Sequence, residues 1–267
     1  MNKLLGLLLT LSMSFVVNAQ VDSKKLRIGV EGAYPPFSQM GADGKLVGFD
    51  IDIANAICKE MKADCTLVTQ DFDGMIPGLL AKKIDAVIAS MSITEERKRS
   101  VDFSEKYYQT PGRFVAKADS KLEVTAEGLK GKRIGVQRTS IHDRFASANF
   151  PKSEIVRYGK QDDVFLDMTA GRLDGAVVDS IAAAQGFLKT AGGRGYGFIG
   201  PVFNDPKFFG VGAGIAVRKS DTELRDQLSA AIKAIRSNGA YKKIQDKYFD
   251  FDVYTDGATA TAPSKKK

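Results

Sequence analysis

Residues 49–89 read FDIDIANAICKEMKADCTLVTQDFDGMIPGLLAKKIDAVIA. Phe49, Ile53, Ile57 and Met61 recur at helical spacing, which predicts a helix over Phe49–Met61. Cys65–Val68 then reads as a strand, Met75–Ala81 as a short helix and Ala86–Ala89 as a buried strand. An apolar strand over Leu26–Val30 comes before them. A strand–helix–strand rhythm of this kind argues for a mainly parallel sheet covered by helices.

The rhythm restarts beyond Pro111. Gly112–Lys117 reads as a crossing strand, Arg133–Val136 as a strand and Ile141–Asn149 as a helix. Val164–Ala170 is expected to be a helix closed by Gly171. Gly175–Val178 follows as a strand and Ile181–Lys189 as a helix. A last strand, Gly214–Arg218, feeds a helix over Asp221–Asn238, with Ser220 and Glu223 spaced as a capping box and Gly239 at its end. Two series of similar size imply two lobes. The natural crossings are Pro111-Gly112 and the stretch from Gly200-Pro201 to Gly214. Ligands in open α/β sheets bind at the carboxyl ends of strands, so two such edges facing each other make a cleft.

The termini set the compartment. Lys3 precedes an apolar run from Leu4 to Val17, and Val17-Asn18-Ala19 fits a small-x-small cleavage site. A signal peptide over residues 1–19, cut before Gln20, is therefore expected. The run is short of the roughly 20 apolar residues that a membrane span needs. The formal charge of +7 falls to +3 without Lys3, Lys265, Lys266 and Lys267, so the pI of 9.2 owes much to the ends. Residues 258–267 lack apolar periodicity and read as a solvated tail, not as a nucleic-acid or lipid contact. An exported chain meets an oxidising compartment, which favours a structural disulfide between Cys58 and Cys65. A metal pair or a catalytic thiol would need partners that the sequence does not place nearby.

Motifs for catalysis are missing. There is no P-loop, G-x-G-x-x-G, H-E-x-x-H or G-x-S-x-G, and His142 is the single histidine. Asp50 and Asp52 begin a helix, where acids complement its dipole. No catalytic residue, metal site or cofactor is expected.

Polar residues instead cluster at strand ends. Glu31 follows the first strand, Ser90 and Ser92 follow Ala86–Ala89, and Arg97 comes five residues later. Ser140 and His142 follow the strand ending at Val136, and Asp179 ends Gly175–Val178. An acid closing an apolar strand suits a ligand ammonium. An arginine fork suits a ligand carboxylate. Singly, Arg97 reads equally well as a solvated helix residue, and Asp179 as an N-cap. Together the set describes an amino-acid zwitterion, with Glu31 spare for a side-chain cation.

From about Leu26 to Tyr254 the chain resembles the periplasmic polar-amino-acid-binding proteins of ABC importers, above all the lysine/arginine/ornithine and histidine binders. The motifs that carry the resemblance are Glu31-Gly32-Ala33-Tyr34-Pro35-Pro36-Phe37, Gly48-Phe49-Asp50-Ile51-Asp52, Asp71-Phe72-Asp73, Ala89-Ser90-Met91-Ser92-Ile93-Thr94-Glu95-Glu96-Arg97, Thr169-Ala170-Gly171-Arg172-Leu173-Asp174 and Lys247-Tyr248-Phe249-Asp250. The resemblance implies a hinged two-lobe fold of class II, with residues 20–110 and 206–257 in one lobe and 111–205 in the other. It implies a monomer in the periplasm that hands a free cationic amino acid to membrane permease subunits.

Carried over position by position, Arg97 would clamp the ligand α-carboxylate with Ser92 and the backbone near Ile141. Asp179 would take the α-ammonium with the Ser90 carbonyl and the Ser92 hydroxyl. Tyr34 and Phe72 would sandwich the aliphatic stem, and Glu31 would reach the distal cation. Ala89, Gln137, Ser140 and His142 complete the expected lining. The family's cysteine pair matches Cys58 and Cys65. Three departures concern the ligand. Glu31 is longer than the family's aspartate, Ala89 replaces a serine, and Ile141-His142 replaces threonine-glutamine. Histidine or an opine-type conjugate is therefore the alternative ligand. A cyclohexadienyl dehydratase-like enzyme on the same fold is the alternative of another class.

Overall fold

The computed structural model describes residues 25–255. The expected leader and tail lie outside the described residues. In chain order the strands are β1 Lys25–Val30, β2 Ala33–Tyr34, β3 Ser38–Met40, β4 Leu46–Val47, β5 Asp64–Thr69, β6 Ala86–Val87, β7 Val101–Tyr108, β8 Gly112–Lys117, β9 Arg133–Gln137, β10 Glu154–Tyr158, β11 Gly175–Asp179, β12 Tyr196–Phe203 and β13 Ala213–Arg218. The helices are α1 Phe49–Glu60, α2 Met75–Leu80, α3 Ile141–Asn149, α4 Gln161–Thr169, α5 Ser180–Ala183, α6 Pro206–Phe209, α7 Thr222–Ser237 and α8 Ala240–Tyr248.

Two five-stranded sheets form, in the orders β5-β1-β6-β13-β7 and β10-β9-β11-β8-β12. Each begins with three parallel strands. The strand that arrives from the other lobe, β13 in the first sheet and β8 in the second, is antiparallel to the third. The reason is directional. Strands laid down by strand–helix–strand units run toward the cleft, and a strand entering from the cleft runs away from it. Both faces of each sheet are covered. In the first lobe Phe49, Ile53 and Ile57 of α1 pack with Leu228, Ile232 and Ile235 of α7 on one face, and Met75 and Leu79 lie on the other. In the second lobe Phe145 and Phe150 cover one face, and Phe165, Met168 and Phe187 the other. Cys58 and Cys65 are joined as a disulfide between the end of α1 and β5. Among the described residues no helix is long and apolar enough to cross a membrane.

Several elements differ from the sequence-based expectation. Asp221 holds the N-cap position of α7 without a side-chain cap hydrogen bond, one residue late for the pair Ser220 and Glu223 to act as a capping box. Ser220 instead donates to Asp221 Oδ1, and Glu223 accepts from Gln227. The helix expected over Ile181–Lys189 is split, with a π-type turn at Ala184–Leu188 following α5. A Cβ on Gly186 in that turn would come within 3.0 Å of Pro35 in the first lobe. Pro201 does not open the return crossing. It sits inside β12, an edge strand whose pairing shifts between Ile199 and Phe203, where a proline is tolerated.

Candidate functional site

The parallel strands deliver polar residues to one place. Glu31 follows β1, Ser90 follows β6, Gln137 ends β9 and Asp179 ends β11. These four, with Tyr34, Phe72, Ala89, Ser92, Arg97, Ser140, Ile141 and His142, line a single cavity between the lobes. Tyr108, Thr110, Phe209, Gly212 and Ala213 complete the wall. These five were not legible in the sequence. They lie at the two chain crossings, where only the meeting of the lobes turns them inward.

Arg97 is not a solvated helix residue. It opens a short 3-10 turn at Arg97–Arg99 and is only 5% exposed, whereas Lys98 and Arg99 face solvent. Its Nη1 donates to the Ser92 carbonyl at 2.9 Å, and Nη2 to the Thr139 carbonyl of the second lobe at 3.4 Å. The guanidinium lies 5.3 Å from the ring centre of Phe72. Burial lowers its pKa to about 10, so it stays charged at neutral pH. Among the described residues no carboxylate pairs with it. A buried, unpaired cation is costly, and an incoming carboxylate relieves that cost.

Three buried acids lie in or behind the cavity wall, Glu31 and Asp179 lining it and Asp50 behind. Asp179 is both N-cap and cavity wall. Its Oδ1 accepts from the N–H groups of Ile181 and Ala182 at 2.8 and 2.9 Å, and its Oδ2 accepts from Thr110. A carboxylate has about four acceptor sites, so a further donor can be served. Burial still pushes Asp179 up to about 6. Glu31 is 3% exposed and accepts from Gln137 Nε2 at 2.6 Å, and burial pushes it up to about 8. Asp50 is fully buried behind the wall, so it does more than complement a helix dipole. Its Oδ1 accepts from the Tyr107 hydroxyl at 3.0 Å and its Oδ2 from Ser90 Oγ at 2.9 Å, with burial raising it to about 7. The Ser90 N–H donates to the same Tyr107 oxygen at 3.1 Å. This ring holds Ser90 at φ 53°, a left-handed conformation rare outside glycine.

The second lobe supplies the start of α3. Ser140 caps it by accepting from the Asp143 N–H at 3.1 Å. The first N–H groups of a helix have no intrahelical acceptor and favour an anion. His142 is buried, lies edge-on to Phe209 at 5.8 Å, and is driven down to about 3 by burial and by Arg97. It is therefore neutral and does not repel a cation. Contacts also join the lobes at the rim. Arg138 pairs with Asp73 at 2.9 Å, Arg144 pairs with Glu96, and Gln185 donates to the Tyr248 carbonyl at 3.2 Å. No cluster of His, Cys, Asp and Glu able to hold a metal ion occurs among the described residues.

Comparison with known proteins places this geometry in context. The family model for bacterial extracellular solute-binding proteins, family 3, matches residues 26–251. An L-arginine-binding protein of Pseudomonas aeruginosa is 56% identical over 86% of this chain and 90% of its own length. A histidine-binding periplasmic protein of Salmonella typhimurium is 44% identical over 94% of this chain and 96% of its own. Among solved structures, a Salmonella typhimurium periplasmic binding protein described for high arginine specificity superposes with a TM-score of 0.79 at 36% identity, covering 85% of this chain and all of the other.

Proposed function

Because the chain belongs to the bacterial extracellular solute-binding proteins of family 3, we propose that it captures one cationic L-amino acid, arginine, lysine or ornithine, by closure of its two lobes. It then delivers that ligand to the permease subunits of an ABC importer. The observation that carries the reading is the charge inventory of the cavity, with one buried guanidinium against the buried acids Glu31 and Asp179 and a third, Asp50, behind them. Arg97, Ser92 and the start of α3 at Ile141 receive the α-carboxylate. Asp179 and Ser90 receive the α-ammonium. Tyr34 and Phe72 hold the stem beside Ala89, and Glu31 is left for the distal cation. Ser140 and His142 act as wall and cap. Cleavage before Gln20, residence in the periplasm as a monomer, and lobes made of residues 20–110 with 206–257 and of residues 111–205 belong to the same proposal. The dehydratase alternative is not favoured, since the relatives reported above are binding proteins by name.

The test is calorimetry on the purified mature chain with arginine, lysine, ornithine, histidine, glutamine, glutamate and leucine. The expected result is micromolar or tighter binding of a cationic amino acid, about −8 kcal/mol or better. Arg97→Ala should weaken it at least about thirtyfold, from loss of a buried charged partner. Tighter binding of glutamate or leucine than of every cation would overturn the reading.

A further inference from the structure

We propose that Gln137 makes the cavity selective for a guanidinium over a primary ammonium at the distal end of the ligand. The inference rests on the cationic reading above and deepens it. Gln137 ends β9 and so belongs to the second lobe, and it is buried. Its amide nonetheless reaches the first lobe, where Nε2 donates to Glu31 Oε1 at 2.6 Å. The same nitrogen donates to the Gly159 carbonyl at 3.4 Å. Chemistry fixes this orientation, because a flipped amide would set its oxygen against the Gly159 carbonyl oxygen.

With both hydrogens of Nε2 engaged, Gln137 offers the cavity only its Oε1, which is an acceptor. Glu31 retains Oε2. Among the described residues no donor is hydrogen-bonded to either oxygen. The distal end of the site therefore presents two free acceptors on linked side chains, a carboxylate oxygen from one lobe and an amide oxygen from the other. A guanidinium carries five N–H donors in a planar fork and is weakly hydrated, so it can serve both at once. A primary ammonium is a compact, strongly hydrated charge that gains most from the carboxylate alone. The two oxygens come from different lobes, so this edge is complete only when the lobes meet. Arginine would then be rewarded for closure at a point where lysine and ornithine are not.

The experiment is calorimetry with arginine, lysine and ornithine on the wild type and on Gln137→Leu, with Gln137→Met as a second variant of similar length and greater flexibility. Melting temperatures check that each is folded. Arginine should weaken about tenfold, the scale of one hydrogen bond to a charged group, and lysine and ornithine about threefold or less. The arginine-to-lysine affinity ratio is the quantity read. Equal losses for all three ligands would overturn the proposal, because Gln137 would then merely support Glu31 or closure. Tighter arginine binding in the variants would overturn it too, since the amide would be competing with the ligand for Glu31. The wild-type titrations report separately on the cationic reading, so failure of that reading is distinguishable from an unmoved ratio.

Discussion

Glu31 has no cation within bridging distance among the described residues, and burial lifts its carboxyl from 4.5 to about 8. Asp50 and Asp179 move the same way, from 3.8 to about 7 and about 6. Each folded value lies above the unfolded one. The ligand-free protein thus holds protons that its unfolded chain has lost, and its stability declines as pH rises from about 4 to about 8. A cationic ligand favours ionised Glu31, so its affinity should change in the opposite sense. It should strengthen between pH 6 and 8, by at most about tenfold per pH unit for each proton released, and level off above. Neutral His142 adds nothing over this range, because its own transition lies near 3. Calorimetry in buffers of different ionisation enthalpy would detect the released proton, and Glu31→Gln should flatten the pH profile. Constant affinity without proton release would mean that Glu31 is already ionised.

The loop after β6 depends on two other elements for its shape. Asp50 comes from the first turn of α1 and Tyr107 from β7, and together they hold Ser90 in its left-handed conformation. That conformation costs a non-glycine residue about 1–2 kcal/mol. Tyr107→Phe removes one donor and one acceptor from this ring. The expected loss is about 1–3 kcal/mol of stability. Affinity for arginine should weaken as well, about threefold or more, because Ser90 lines the cavity. A lower melting temperature with unchanged affinity would show that the ring stabilises the lobe without shaping the site. At this scale the buried elements were the legible ones. The expectation for α1, β1 and β11 rested on apolar periodicity or a closed apolar run, and each element lies in its lobe's core. β7, β10 and β12 were missed because charges or glycines interrupt them, whereas β5, an edge strand like them, was legible from Cys65–Val68, which carries neither.

Across the whole molecule, the pairs Asp73–Arg138 and Glu96–Arg144 bridge the lobes at the rim of the cleft, both partly exposed. Exposed ion pairs contribute about 0–1 kcal/mol each and are screened by salt. Removing both, as Arg138→Ala with Arg144→Ala, touches no cavity-lining residue. It should therefore weaken binding no more than about thirtyfold at low ionic strength, and less at high. Small-angle scattering on the ligand-free variant should show a larger radius of gyration than the wild type. An affinity loss that is independent of salt would mean that these pairs do not act through closure.

Periodicity and strand-end chemistry, read from the sequence alone, determined a two-lobe α/β fold and picked out polar residues that line one cavity. They could do so because burial imposes a repeat on each helix, and because side chains just past a strand are carried to the cleft edge wherever the sheet lies. The sequence could not decide between Arg97 as solvated or buried, or between Asp179 as cap or wall. Those choices depend on which residues distant in the chain cover each side chain. Tertiary structure alone buried Arg97 beneath Ser92, Thr139 and Phe72, and gave Asp179 both roles. It also drew Asp50 into a hydrogen-bonded ring and set Gln137 against Glu31 across the cleft. Hydrogen bonds and charge interactions of this kind act over a few ångströms of space. Their partners here lie up to 106 residues apart along the chain, where no local pattern records them.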